Sequence, residues 1–150
     1  MKIKSKAFAP AKEIPIKYTC EGENISPPLE FSGVPANTKS LVLIVEDPDA
    51  PGNFIHWLVF NIEPQTKKVR EADVPDGGML GLNDFGKTTY KGPCPPSGTH
   101  RYFFKLFALN DKLPLPENAS YKEVFDTMQE KLLDAACIYA TYTRKTPPSP

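Results

Sequence analysis

Four stretches of the chain carry the apolar pattern of β-strands. Leu41 to Glu46, LVLIVE, is a continuous apolar run rich in β-branched residues, the pattern of a central strand covered on both faces. Ile55 to Ile62, IHWLVFNI, reads as a second strand, and Arg101 to Leu109, RYFFKLFAL, as an aromatic-rich third. Ala136 to Arg144, ACIYATYTR, reads as a fourth, with Ile138, Ala140 and Tyr142 on one face. Lys2 to Phe8 and Leu29 to Phe31 are weaker candidates. Period-two alternation places His56 on a face with Leu58, Phe60 and Ile62, and His100 on a face with Tyr102, Phe104 and Leu106. Each histidine then heads an apolar stripe, which sets a titratable group at the mouth of a core.

One helix is marked. Ser120 followed by Glu123 forms a capping box, and Phe125, Met128, Leu132 and Ala135 or Ala136 recur behind it at helical spacing. This helix is expected to pack and to carry no chemistry. The 17 prolines are spread along the whole chain, which excludes long helices and favours short strands joined by ordered loops. Asp76 to Thr99 holds six of the nine glycines together with Pro93, Pro95 and Pro96. A connection of that length in a compact domain is usually functional, so it is expected to be an ordered loop walling a site. Lys145 to Pro150, KTPPSP, reads as an extended or disordered tail.

Composition narrows the function classes. A chain of 150 residues favours one domain over residues 1–150, with a core large enough to need no staples. Lys plus Arg and Asp plus Glu are both 18, and a net charge of zero argues against a nucleic-acid partner. No run approaches the roughly 20 apolar residues of a membrane span. The basic N-terminus has no apolar segment behind it, so no secretory signal is read there and the cytoplasm is the expected location. Three cysteines, Cys20, Cys94 and Cys137, fit reduced thiols in that compartment. A Cys20–Cys94 bridge is the alternative, since both lie in loop-like segments. No cysteine spacing suggests zinc, and the Asn-X-Ser matches at Asn24 and Asn118 are read as chance.

Asp47 and Asp49 follow the first strong strand in the run DPDAP, where alternating Asp and Pro make a rigid turn with carboxylates at a strand end. The plainer reading is that these carboxylates cap their own backbone. DPDAP, the strand opening His56-Trp57 and GPCPPSGTHRYFF (Gly92 to Phe104) occur in this order, with KYTCEGENISPPLEF, NDFGKTTYKGPCPP and YATYTRK around them. Together they resemble the phosphatidylethanolamine-binding protein family, in its bacterial and archaeal Raf-kinase-inhibitor-like branch, over nearly the whole chain. The resemblance implies a mainly β fold of two packed antiparallel sheets with one or two short peripheral helices. It also implies a small pocket at the strand ends, with Asp47, His56, Pro96, His100 and Tyr102 as ligand-binding residues. The ending TYTRK departs from the branch, where a glycine commonly precedes the arginine.

Three functions follow as expectations. The first is a binding module for a small anion or a phosphoethanolamine-like head group, in a regulatory role. The second is an interaction module inhibiting a protease or a kinase, with a homodimer as a further candidate assembly. The third is an enzyme using the two histidines and a carboxylate. No nucleophile beside a base, no metal-spaced histidine pair and no cofactor fingerprint is found, so no enzyme activity, metal or cofactor is expected.

Overall fold

The computed structural model describes residues 1–146. Among these, eight strands and one α-helix follow in the order β1 (Lys2–Lys4), β2 (Leu29–Ser32), β3 (Ser40–Asp47), β4 (Phe54–Ile62), β5 (Lys68–Val69), β6 (Met79–Leu80), β7 (Thr99–Leu109), α1 (Tyr121–Met128) and β8 (Leu132–Thr143). They form a three-stranded sheet, β1-β2-β5, and a five-stranded sheet, β6-β4-β3-β7-β8, with every pairing between strands antiparallel. The architecture is the expected mainly β one with two sheets and a single short helix. No described helix is long and apolar enough to cross a membrane.

The continuous apolar run of β3 has the predicted cause. Leu41, Leu43 and Val45 point into a core shared with Ile3, Phe31, Trp57, Phe104 and Tyr142. Val42 and Ile44 point the other way, into a second core with Leu58, Phe60, Val124 and Met128. The second core is closed by α1 and by Leu113 and Ala119 ahead of it. All eight residues of β3 are therefore buried. On β7, Tyr102, Phe104 and Leu106 face the first core, as alternation predicts, and Ala140 and Tyr142 of β8 join them with Ile138 packed alongside.

Two expectations are corrected and a third gains detail. The helix does not run on through Leu132: α1 stops at Met128, a 3-10 turn covers Gln129–Lys131, and Leu132 pairs with Leu109 as the first rung of β8. Pairing along the whole length of β7 outcompetes the helical spacing of the apolar residues. The capping box itself is present, with Glu123 N donating to Ser120 Oγ and Ser120 N to Glu123 Oε1. Second, His56 does not share a face with Leu58, Phe60 and Ile62. Val45 pairs with Trp57 and Glu46 with Ile55, so His56 is the extra residue of a bulge. Asn61, at φ +56°, breaks the alternation again and turns Ile62 into the first core. Third, the start of the proline-rich end is pinned: Lys145 N and Thr146 N both donate to the Glu21 carboxylate (2.7 and 2.9 Å), and Tyr142 Oη donates to it as well (2.6 Å). The rest of that tail, 147–150, lies outside the described residues.

Phe104 is fully buried against Phe8, with ring centroids 5.4 Å apart, at the centre of the first core. Phe104→Ala is expected to lower the unfolding free energy by about 3–5 kcal/mol. Chemical denaturation checks this, and a loss of under about 1 kcal/mol, the scale of a surface change, would place the core elsewhere.

Candidate functional site

The site begins where β3 ends. Asp47 is buried, and its carboxylate oxygen Oδ1 accepts from Asp49 N (2.9 Å) and Ala50 N (3.2 Å). The plainer reading of this residue as a turn-builder is thus part of the truth. The other oxygen, Oδ2, accepts from His100 Nδ1 at 2.6 Å, across to the start of β7. Asp49 takes a separate job: it accepts from Arg101 N, Nε and Nη2 at 2.8–3.0 Å. The Arg101 guanidinium holds the Asp49 carboxyl down at about 2. The two aspartates of DPDAP therefore clamp one turn to two successive residues of β7, and Arg101 is drawn to the face opposite His100 and Tyr102.

His56 arrives from the bulge in β4. Its Nδ1 lies 2.6 Å from the Lys91 carbonyl, which can only accept, so Nδ1 carries the hydrogen and Nε2 is the free ring nitrogen. The same logic on the Asp47 carboxylate leaves Nε2 of His100 free. Burial pushes the His56 pKa down from its ordinary value, against the opposing pull of Asp47 and Asp84. Tyr102 lies between the two histidines, edge-on to His56 at 5.4 Å and stacked on His100 at 6.4 Å. Its side chain is fully buried, and its hydroxyl, near the Asp47 carboxylate and the Cys94 backbone, makes no hydrogen bond of normal geometry. Burial raises its pKa far above the usual phenol range, so it stays a neutral O–H.

Asp47, His56, Pro96, His100 and Tyr102 all line one cavity of about 180 Å³. The structure thus brings together the five residues singled out in the sequence. Ala50, Phe54, Phe85, Cys94 and Pro95 complete the wall and were missed. Phe54, Phe85 and His56 form a cluster of edge-on rings with centroids 4.9–5.4 Å apart. Phe85 is 43% exposed, so it stands at the rim. The one available signal was its place in the glycine-rich segment, which does not say which residue turns inward. A cleft of similar volume, about 190 Å³, lies around Trp57 and Tyr90, but no histidine lines it.

The wall is held from outside the cavity. Asn83, buried, accepts from Phe85 N and Lys87 N and donates to the Thr89 carbonyl (2.9, 3.0 and 2.7 Å). Asp84 accepts from Ile55 N at 2.7 Å, fastening this loop to β4. The segment 76–99 is thus ordered by named contacts. Cys20 and Cys94 form a disulfide, which corrects the expectation of reduced thiols. Cys137 remains free and exposed. Two loops that looked unrelated in sequence are laced along their length: Cys20 N donates to the Pro93 carbonyl, Gly92 N to Asn24 Oδ1, and Tyr90 Oη to the Tyr18 carbonyl. Gly92 has to be glycine, since a Cβ there would sit 2.0 Å from the Tyr18 oxygen. With two of the three thiols paired, the cysteines no longer argue for a reducing compartment.

The family model described as phosphatidylethanolamine-binding protein matches residues 4–143. A UPF0098 protein of Methanothermobacter thermautotrophicus is 47% identical over 150 residues, covering 96% of this chain and 99% of that one. A UPF0098 protein of Aquifex aeolicus is 48% identical, covering 96% and 89%. Among solved structures, the chain is similar to a protein from Chlamydia trachomatis, CT736, described as a putative phosphatidylethanolamine-binding protein homolog. That match has a TM-score of 0.91 and 39% identity, covering 96% and 97%. It is also similar to YbcL of E. coli, described as a new member of the mammalian PEBP family, with a TM-score of 0.89 and 33% identity, covering 96% and 98%.

Two outcomes follow for the site's framework. Cys20→Ser or Cys94→Ser is expected to cost about 4 kcal/mol, the loop-entropy scale for a 74-residue separation. The check is denaturation of wild type and variants, with and without reductant; a variant as stable as the oxidised wild type would remove the bridge from the framework. The second outcome concerns His56, whose folded pKa lies below its unfolded value of about 6.5. The unfolded chain then binds the proton more readily, so His56's contribution to stability is present above about pH 6.5 and is lost as pH falls towards the folded pKa. Between about pH 7 and 5, wild-type Tm should fall more than that of His56→Gln, which retains a donor for the Lys91 carbonyl. Equal slopes would mean that His56 keeps its ordinary titration.

Proposed function

We propose that this chain, which belongs to the phosphatidylethanolamine-binding protein family, binds a small oxyanion, such as the phosphate of a phospholipid head group or a carboxylate, in the cavity between Asp47, His56, Pro96, His100 and Tyr102. The observation that carries this reading is the Tyr102 hydroxyl, a buried donor without a partner inside a cavity flanked by two imidazoles. Buried polar groups are nearly always satisfied, so an unpaired hydroxyl on a residue that lines a cavity is a candidate donor to an acceptor from outside the chain.

The roles divide by chemistry. Tyr102 donates its O–H. His56 and His100, with Nδ1 already engaged, meet the ligand through Nε2 and lend positive charge when protonated. Asp47 holds His100 in place and makes no contact with the anion, and Pro96 with Pro95 gives a rigid wall on the disulfide side. The ring cluster of Phe54 and Phe85 at the rim suits the apolar or ammonium part of a head group. No Ser, Thr or free Cys lines the cavity, and Cys94 is bridged. The inhibitor and homodimer readings have no observation of comparable weight behind them.

Tyr102→Phe tests the proposal, because it separates binding from stability. Removal of an unpaired buried hydroxyl is expected to leave the ligand-free Tm unchanged or raised. Affinity for phosphate or acetate, followed by NMR titration, is expected to fall about ten-fold or more, the scale of a hydrogen bond to a charged group. Undiminished affinity in the variant would take the anion out of this cavity.

A further inference from the structure

We propose that the outer face of the small sheet, β1-β2-β5, is a docking surface for an acidic segment of a partner protein, held by carboxylates on its cations and anchored by one apolar side chain. This face is separate from the cavity, none of whose residues belongs to these three strands.

Strand register gathers the charge. Lys4 pairs with Glu30 and Glu30 with Lys68, so these three side chains share one side of the sheet. Lys2, opposite Ser32, is on that side as well. The alternate positions, Ile3, Leu29, Phe31 and Val69, are buried in the first core. Beyond the Lys4–Glu30–Lys68 rung, Lys6, Pro28 and Arg70 line a cleft of about 170 Å³. Ser5 Oγ donates to the Pro28 carbonyl at 2.6 Å and holds β1 against this stretch. Lys2, Lys4, Lys6, Lys68 and Arg70 are all exposed, and among the described residues none of them makes an ion pair. Glu30 is the only carboxylate on these strands. The chain as a whole carries 18 basic and 18 acidic side chains, so the surplus here is a matter of placement and not of composition. Like charges gathered on one sheet face repel one another, and anions laid across them relieve that repulsion.

The shape of the face selects among polyanions. Pro28, Leu29 and Val69 line the cleft, and the aliphatic stems of Lys6, Lys68 and Arg70 extend its apolar wall. An apolar recess ringed by cations suits one apolar side chain flanked by carboxylates, the arrangement of an interface anchor inside a charged rim. A single-stranded nucleic acid would also stack its bases on aromatic rings. The one aromatic residue of these strands, Phe31, is buried. An anionic bilayer would be gripped by apolar side chains inserted beside the cations. The large apolar side chains that are exposed among the described residues all lie on other segments. Charge and recess together therefore favour a protein segment over either alternative.

The test uses two short fluorescein-labelled peptides made of glutamate and aspartate, one with a single central leucine and one with serine in its place. Binding to the full chain is followed by fluorescence anisotropy. The leucine peptide is expected to bind about ten-fold or more tightly than the serine peptide, the scale of burying one apolar side chain. Its affinity is expected to fall as salt is raised. The triple variant Lys4→Gln, Lys68→Gln, Arg70→Gln, checked for fold by circular dichroism, is expected to lose about ten-fold or more of that affinity. Glu30→Gln removes the carboxylate of the face and is expected to tighten binding, a direction that a damaged fold does not produce. Vesicles of phosphatidylcholine with phosphatidylglycerol, and a single-stranded oligonucleotide, are titrated in parallel. Absence of peptide binding, equal affinity for the two peptides, or wild-type affinity in the triple variant overturns the inference. So does tighter binding of the vesicles or the oligonucleotide than of the leucine peptide, if it is lost in the same triple variant.

Discussion

The carboxylate of Asp47 is the group on which the site depends. It sits at the end of a strand that is buried along its whole length, so its position is fixed by the packing of two cores and not by the turn alone. From there it accepts from two backbone N–H groups of its own turn and from His100. One buried anion thereby shapes a loop, orients an imidazole and ties the end of β3 to the start of β7. A carboxylate with three donors around it is well satisfied and gives rigid geometry in return. Asp49 repeats the device one step outward with Arg101, which also keeps that guanidinium away from the cavity.

The opposite wall is made rigid by different means. Asn83 and Asp84 fold the loop behind Phe85 onto β4, and the disulfide fastens the Pro93–Pro96 run to the loop after the 3-10 turn at Ile16–Tyr18. Glu21, next to Cys20, accepts from Tyr142, Lys145 and Thr146. Three chain segments far apart in sequence therefore meet around Cys20 to Asn24. Prolines at 93, 95 and 96 lower the number of conformations these constraints must remove. The cavity is preformed to this degree, and a preformed site loses little free energy to ordering when it binds.

Electrostatically, the cavity is unusual for a proposed anion site. Its walls are largely apolar or aromatic, its one carboxylate is engaged with His100 and with its own turn, and each imidazole has Nδ1 already engaged. Burial works against protonation of His56, and Asp47 works in favour of it. That balance is set by the tertiary contacts around the ring.

Much of this was legible in the chain. The continuous apolar run at Leu41 to Glu46 dictates a strand covered on both faces, because only double burial justifies removing both sets of side chains from water. Alternation in Arg101 to Leu109 dictates that His100 heads the stripe of Tyr102, Phe104 and Leu106, and Ser120 with Glu123 dictates where the helix starts. The ordered set of motifs dictated the family and, through it, the five residues that line the cavity. Tertiary structure alone decided the rest. The bulge that re-aims His56 depends on how β4 pairs with β3, and periodicity has no term for an extra residue on one strand. The end of α1 depends on β7 claiming Leu132 as a partner, although the local spacing reads helical. The Cys20–Cys94 bridge requires two loops 74 residues apart to be laced side by side, and the inward turn of Phe85 requires Asn83 to be buried beneath it. Each of these rests on a contact between distant segments, and a linear pattern records only which side chains are available, not which ones the chain brings together.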